Sequence, residues 1–211
     1  MPFATSGVRA PLYLLVLCLL SALISGCGSA SAIQVAGTAV GLVLEATGVI
    51  KKDNGDPTKK LTDLSLRIHA GEQLNTTSNG KSLSLVIKVY VLRSPEALKT
   101  LTYPQIHTPE GEKEALGESL VSTREITVLP GKIYDLILKV PGDATTIGVT
   151  GMFRAPYAQR WKLGFEAKNS FDSGIVVGAH ACAFTASKGA LISEISPDNV
   201  HSLVGVQCNP K

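Results

Sequence analysis

From Leu61 onward, apolar and polar residues take turns along the chain. Leu64, Leu66 and Ile68 alternate with Asp63, Ser65, Arg67 and His69, which predicts a strand with one face on a core and the other in water. The polar stretch from Gly71 to Lys81 follows. Its Asn79-Gly80 is a turn signal, although the stretch is longer than a tight hairpin. Leu83, Leu85, Ile87, Val89 and Val91 then alternate with Ser82, Ser84, Lys88 and Tyr90 as the clearest strand of the chain. Ser94-Pro95-Glu96 predicts a short helix to about Leu101, with a capping serine and a proline in the first turn. Tyr103 to Glu114 reads as a loop. A strand centred on Arg124 to Leu129 turns at Pro130-Gly131 into Tyr134, Leu136, Leu138 and Val140, again every second residue. After Pro141-Gly142-Asp143, Ile147, Val149 and Phe153 form a strand loosened by Gly148 and Gly151, which Ala155-Pro156 ends. Trp161, Leu163 and Phe165 alternate with Lys162 and Glu166. A last long strand is expected from Gly174 to Thr185, with one more short strand near Leu191. Seven or eight short strands and a small helix predict a mainly β fold, a two-sheet β-sandwich.

The first 60 residues follow other rules. Arg9 precedes an apolar run from Ala10 to Ile24 that is short for a membrane span, and small residues follow at Ser25 and Gly26. This is the order of a secretion signal covering residues 1–26. Leu23-Ile24-Ser25-Gly26-Cys27 resembles the lipobox of bacterial lipoproteins, with Ile24 where leucine is commoner. The competing reading is a plain signal peptide with a chance cysteine; the place of Cys27, directly after Gly26, favours the lipobox. The resemblance implies that the Cys27 thiol accepts a diacylglyceryl group and that its freed amine is then acylated. Gly28, where aspartate would retain the protein at the inner membrane, implies the outer membrane. Two or three acyl chains would make attachment firm, since one alone binds only marginally.

Gly28 to Ala32 is a small-residue tether. Ile33 to Ile50 is apolar, with Glu45 as its only charge and Gly37 and Gly41 in a GxxxG. It reads as an extra helical segment, either membrane-spanning or packed by one face. The lipid anchor makes a second span redundant, which favours the packed or interfacial helix. Lys51 to Lys60, with Asn54-Gly55 and Pro57, is a polar boundary. The expected organisation is a leader at 1–26, a lipidated tether and extra segment at 27–60, and a sandwich domain at 61–211.

Composition narrows the function. The chain of 211 residues carries a net charge of +3, of which the leader contributes one, and no basic run is interleaved with aromatics. Nucleic acid is therefore not an expected partner. Of four cysteines, Cys18 leaves with the leader and Cys27 is lipidated. Cys182 and Cys208 remain, in an oxidising compartment, as a candidate disulfide or as two separate thiols. The histidines at 69, 107, 180 and 201 have no spacing typical of a zinc site. There is no nucleophile elbow, phosphate loop or dinucleotide fingerprint. His69 reads as a solvated strand residue, and His180 as a strand residue beside Cys182. A hydrolase using His180 or His201 is the weakest reading. The expectation is no catalysis, no metal and no cofactor beyond the covalent lipid on Cys27.

One further set of residues is informative by its order. Leu74-Asn75 and Asn79-Gly80-Lys81 lead into Val86 to Ser94, then come Val128-Leu129-Pro130-Gly131, Ile147-Gly148-Val149, Phe153-Arg154 and Trp161. This series resembles the TssJ family, outer-membrane lipoproteins of type VI secretion systems. The resemblance covers about Leu61 to Phe165. It implies a transthyretin-like sandwich tethered to the inner leaflet of the outer membrane and facing the periplasm. It also implies binding to the periplasmic C-terminal part of TssM, an inner-membrane protein. The family's contact loop between the first two strands maps onto Gly71, Glu72, Gln73, Leu74, Asn75, Thr76, Thr77, Ser78, Asn79, Gly80 and Lys81. The Ile33 to Ile50 segment and the tail carrying Cys208 depart from the shorter family pattern. The alternative function is a periplasm-facing lipoprotein that binds a peptide or glycan, which would need a concave site with exposed aromatics.

Overall fold

The computed structural model describes residues 60–208. The leader, the Cys27 lipidation site and the Ile33 to Ile50 segment lie outside the described residues. Eight strands form two four-stranded sheets. They are β1 (Leu61–Ala70), β2 (Leu85–Leu92), β3 (Leu120–Val128), β4 (Ile133–Pro141), β5 (Thr146–Gly151), β6 (Lys162–Glu166), β7 (Ile175–Ala179) and β8 (Phe184–Lys188). One sheet has the order β4-β1-β7-β8 and the other β3-β2-β5-β6. Only β1 and β7 run parallel; all other pairs are antiparallel. This is the expected mainly β, two-sheet architecture.

The period-two reading holds best in β1 and β4. Leu64, Leu66 and Ile68 are buried beside Leu136, Leu138 and Val140, while Asp63, Ser65, Arg67 and His69 face solvent. The two outer rows pair across the ladder as Arg67–Asp135 and Asp63–Lys139, both at 2.6 Å. Exposed ion pairs of this kind contribute little; the buried leucines, valines and isoleucines carry the stability.

β2 behaves differently. Its outer face should be wet by alternation, yet Lys88, Tyr90 and Leu92 are all buried. The cover is the excursion between β2 and β3, which carries α1 (Pro95–Thr100) and α2 (Pro109–Leu116). In α1 the Ser94 hydroxyl accepts from the Glu96 amide and Pro95 opens the first turn, as expected. Helix α2 falls where a loop was predicted. It uses the same device, Thr108 accepting from the Gly111 amide with Pro109 next. No apolar stripe advertises it, since Leu116 is its one buried residue.

Two polar attachments hold the excursion down. Lys88 Nζ donates to Glu112 Oε1 and to the Ile106 carbonyl, each at 2.9 Å, and Tyr90 donates its hydroxyl to the same Glu112 oxygen. Burial and the bond to Glu112 both push the Tyr90 phenol upward. Lys162 Nζ donates to the carbonyls of Leu98, Lys99 and Leu101, each at 2.8 Å, satisfying the C-terminal end of α1. Gly148 makes this closeness possible: a Cβ there would lie 3.0 Å from Leu98.

Further elements differ from the sequence expectation. The long strand from Gly174 to Thr185 is two strands, β7 and β8, joined by a tight connection at 180–183. The strand near Leu191 is a single bridge to Phe165. Strand β3 begins at Leu120, four positions before Arg124, and β2 begins at Leu85, so Leu83 belongs to the loop. A short helix, α3 (Ala167–Ser170), follows β6.

Candidate functional site

The loop between β1 and β2 is the predicted contact region, and its shape is set from within. Ala70 ends β1 opposite Ala179 of β7. The ladder then continues beyond both strands, with the Gly71 amide on the Ala179 carbonyl, Asn75 on His180 and Thr76 on Ala181, at 2.8, 3.1 and 3.1 Å. Asn75 takes a left-handed conformation at φ 45°, which asparagine tolerates better than most residues. Its side chain donates to the Ser84 carbonyl at 2.8 Å and accepts from the Arg154 amide at 2.7 Å. At the tip, Gly80 at φ 75° closes a turn back onto the Thr77 carbonyl.

These bonds divide the eleven predicted residues into two kinds. Leu74 is fully buried and Asn75 nearly so, so they shape the loop from inside. Glu72, Gln73, Ser78, Asn79, Gly80 and Lys81 are exposed, and Gly71, Thr76 and Thr77 are half-buried.

The sequence pattern did not reveal what stands opposite. Cys182 and Cys208 form a disulfide, with Cα atoms 5.6 Å apart. The bridge brings the C-terminal tail alongside the loop. Between them lies a cleft of about 530 Å³, walled by loop residues such as Glu72, Gln73 and Thr76, by His180, and by Leu203, Val206 and Cys208 of the tail. Among the described residues no Phe, Tyr or Trp lines it. The cysteine count alone signalled the bridge; its position against the loop depended on the fold.

His180 is half-buried at one wall, with Nε2 2.9 Å from the Thr185 hydroxyl, and burial pushes its pKa down. Gly178 keeps this contact open, since a Cβ there would meet Thr185 Oγ1 at 2.5 Å and His180 Nε2 at 2.8 Å. His201 Nδ1 lies 2.7 Å from the Ala186 carbonyl, and His69 is exposed on β1. Among the described residues no three His, Cys, Asp or Glu side chains converge as metal ligands. The Cys182 sulfur is engaged in the disulfide and offers no free thiol. This arrangement supplies hydrogen bonding, shape and a small apolar wall.

Comparison with known proteins places the fold in a family. A family model described as "Type VI secretion lipoprotein, VasD, EvfM, TssJ, VC_A0113" matches residues 62–182. No curated protein matches the chain at the sequence level. Among solved structures, a chain of a type VI membrane complex is similar at TM-score 0.55 and 22% identity, covering 61% of this chain and 99% of that one. The type VI lipoprotein TssJ1 from Pseudomonas aeruginosa is similar at TM-score 0.55 and 18% identity, covering 61% and 97%. Serratia marcescens Lip, described as a membrane bound component of the type VI secretion system, gives 0.54 and 19%, covering 60% and 98%. A chain of the structure described as the TssM C-terminal domain from EAEC gives 0.51 and 20%, covering 59% and 97%.

Proposed function

The chain belongs to the type VI secretion lipoprotein family, and from that premise we propose that it is a non-catalytic adaptor of the secretion membrane complex. Acyl chains on Cys27 hold it in the inner leaflet of the outer membrane, with residues 1–26 removed and residues 27–60 as tether. The sandwich domain faces the periplasm and binds the periplasmic C-terminal region of a TssM-like inner-membrane protein. Anchoring a partner across the envelope needs a firm lipid attachment and a rigid contact surface, and no reacting group.

The observation that carries this reading is the internal bracing of the loop from Gly71 to Lys81. Asn75 and the continued ladder hold its backbone in one shape while its polar side chains stay exposed. A loop ordered before binding loses less entropy on association, which is what a constitutive adaptor requires. Among the described residues no aromatic side chain lines this cleft, so it lacks the stacking platform a glycan would use there.

The test has two arms. Cys27→Ser should move the protein from the membrane to the soluble envelope fraction and abolish type VI secretion. Affinity capture of the acylated wild-type protein from envelopes should recover the TssM-like protein. Membrane retention and normal secretion by the serine variant, or repeated capture without the TssM-like protein when it is expressed, would each overturn the proposal.

A further inference from the structure

The family match stops at Cys182, the residue to which the tail is bonded. The segment bonded back to it through Cys208 lies beyond that match, and it is fastened at two points. Arg160 is fully buried, and among the described residues no carboxylate pairs with it. Its guanidinium donates instead to the carbonyls of Phe184, Asn199 and Ser202 and to the Asn199 side chain, at 2.8–3.2 Å. One end of the tail is thus held at Ser202 by a buried cation, and the other at Cys208 by a covalent bond.

Between these two fastenings the chain makes a tight turn. The Val206 amide donates to the Leu203 carbonyl at 3.0 Å, and Gly205 sits at φ 81°. The pattern is that of a four-residue turn with glycine at the third position. It displays apolar side chains: Val204 at its tip is 78% exposed, and Leu203 is 41% exposed. Here two independent devices fix a segment whose apolar side chains contribute little to the core.

We propose that this strap, Ser202 to Cys208, is the second wall of the partner-binding surface, facing the β1–β2 loop across the cleft. The occupant is the TssM-like partner of the proposed function, on which this inference rests. Continuity selects it: the strap and the exposed loop residues line the same cleft, so a segment that engages the loop also meets Leu203 and Val206. The lining chemistry specifies what enters. Leu203 and Val206 take an uncharged aliphatic side chain, and Gln73, Thr76 and Thr77 offer hydrogen bonds to the main chain beside it. The disulfide keeps this wall ordered before binding, which favours affinity in the same way as the braced loop.

The experiment uses full-length acylated protein in detergent and the full-length TssM-like protein, with affinity measured by biolayer interferometry. Leu203→Ser combined with Val206→Ser alters the two apolar strap side chains that line the cleft and lie outside the core. It should weaken binding by about tenfold or more, the loss expected when two aliphatic side chains are removed from a buried contact. Cys182→Ala combined with Cys208→Ala frees the strap and should weaken binding to a similar degree, with near-ultraviolet circular dichroism confirming an intact sandwich. Should both variants bind within twofold of wild type, the strap is not part of the surface and the adaptor reading stands. Failure of the wild type itself to bind would remove the adaptor reading and this inference together. Self-association of the wild type that is lost in the serine variant would assign the strap to a second copy of this chain and overturn the inference.

Discussion

Glu112→Ala is the sharpest test of how the helical excursion is held. Lys88 and Glu112 are 24 positions apart, and their side chains are only 10% and 14% exposed. Removing the carboxylate leaves the Lys88 ammonium buried and takes the acceptor from the Tyr90 hydroxyl. Breaking a buried pair on one side costs about 3–5 kcal/mol. Lys88 would keep the Ile106 carbonyl and a long 3.7 Å contact to Glu125, which is 59% exposed, so the lower end applies, about 3 kcal/mol. For a domain of this size the melting temperature should fall by about 6–12 °C. The combined change Lys88→Met, Tyr90→Phe and Glu112→Leu removes all three polar side chains. It should return to within about 1.5 kcal/mol of wild type, because a desolvated ion pair and an apolar cluster of similar volume are nearly equal in free energy. Urea unfolding of a chain starting at residue 27, with Cys27→Ser to prevent acylation, reads both. A single variant that loses less than about 1 kcal/mol, or a triple variant as unstable as the single, would refute the claim that this pair works through desolvation.

Two further outcomes concern protons. Burial holds the His180 pKa below its ordinary 6.5, so in that interval the unfolded chain binds more protons than the folded one. Stability is therefore full above about pH 6.5 and declines as pH falls; His180→Asn should flatten this part of the acid limb in urea midpoints taken from pH 7.5 to 5. Burial pushes Lys162 down to about 8, so by the same sign stability rises between about pH 8 and 10.5. Lys162→Met should abolish that rise and cost about 1–3 kcal/mol at neutral pH, because three carbonyls at the end of α1 lose their donor; faster amide exchange confined to α1 would be the local signature.

The residues that were legible in the sequence share a property. Leu64, Leu66 and Ile68 in β1, and Leu136, Leu138 and Val140 in β4, lie on strands with one dry and one wet face, so the polar residues between them mark their burial, although Ile137 breaks the pattern by facing solvent. Pro130-Gly131 and Asn79-Gly80 announce turns through their own backbone preferences. The excursion was half legible. Ser94-Pro95-Glu96 and Thr108-Pro109-Glu110 carry the same start signal, but the second opens a helix without an apolar stripe and reads as loop. The candidate site divides in the same way. Gly71 to Lys81 is visibly a loop, yet nothing local marks Asn75 as left-handed or says that its amide group bridges Ser84 and Arg154.

The sequence by itself therefore determined the strand-rich class, the main strand faces, the turn positions and the cysteine pair available for bridging. The first three depend on residues within a few positions of one another, and the last on a count of cysteines. Tertiary structure decided that Lys88 and Tyr90 are buried under a distant helix and that a buried arginine holds the chain at Asn199 and Ser202. It also decided that the Cys182–Cys208 bridge lays the segment after Ser202 beside the β1–β2 loop. Those outcomes depend on which separate segments share a surface, and alternation along one strand carries no record of what another segment will cover.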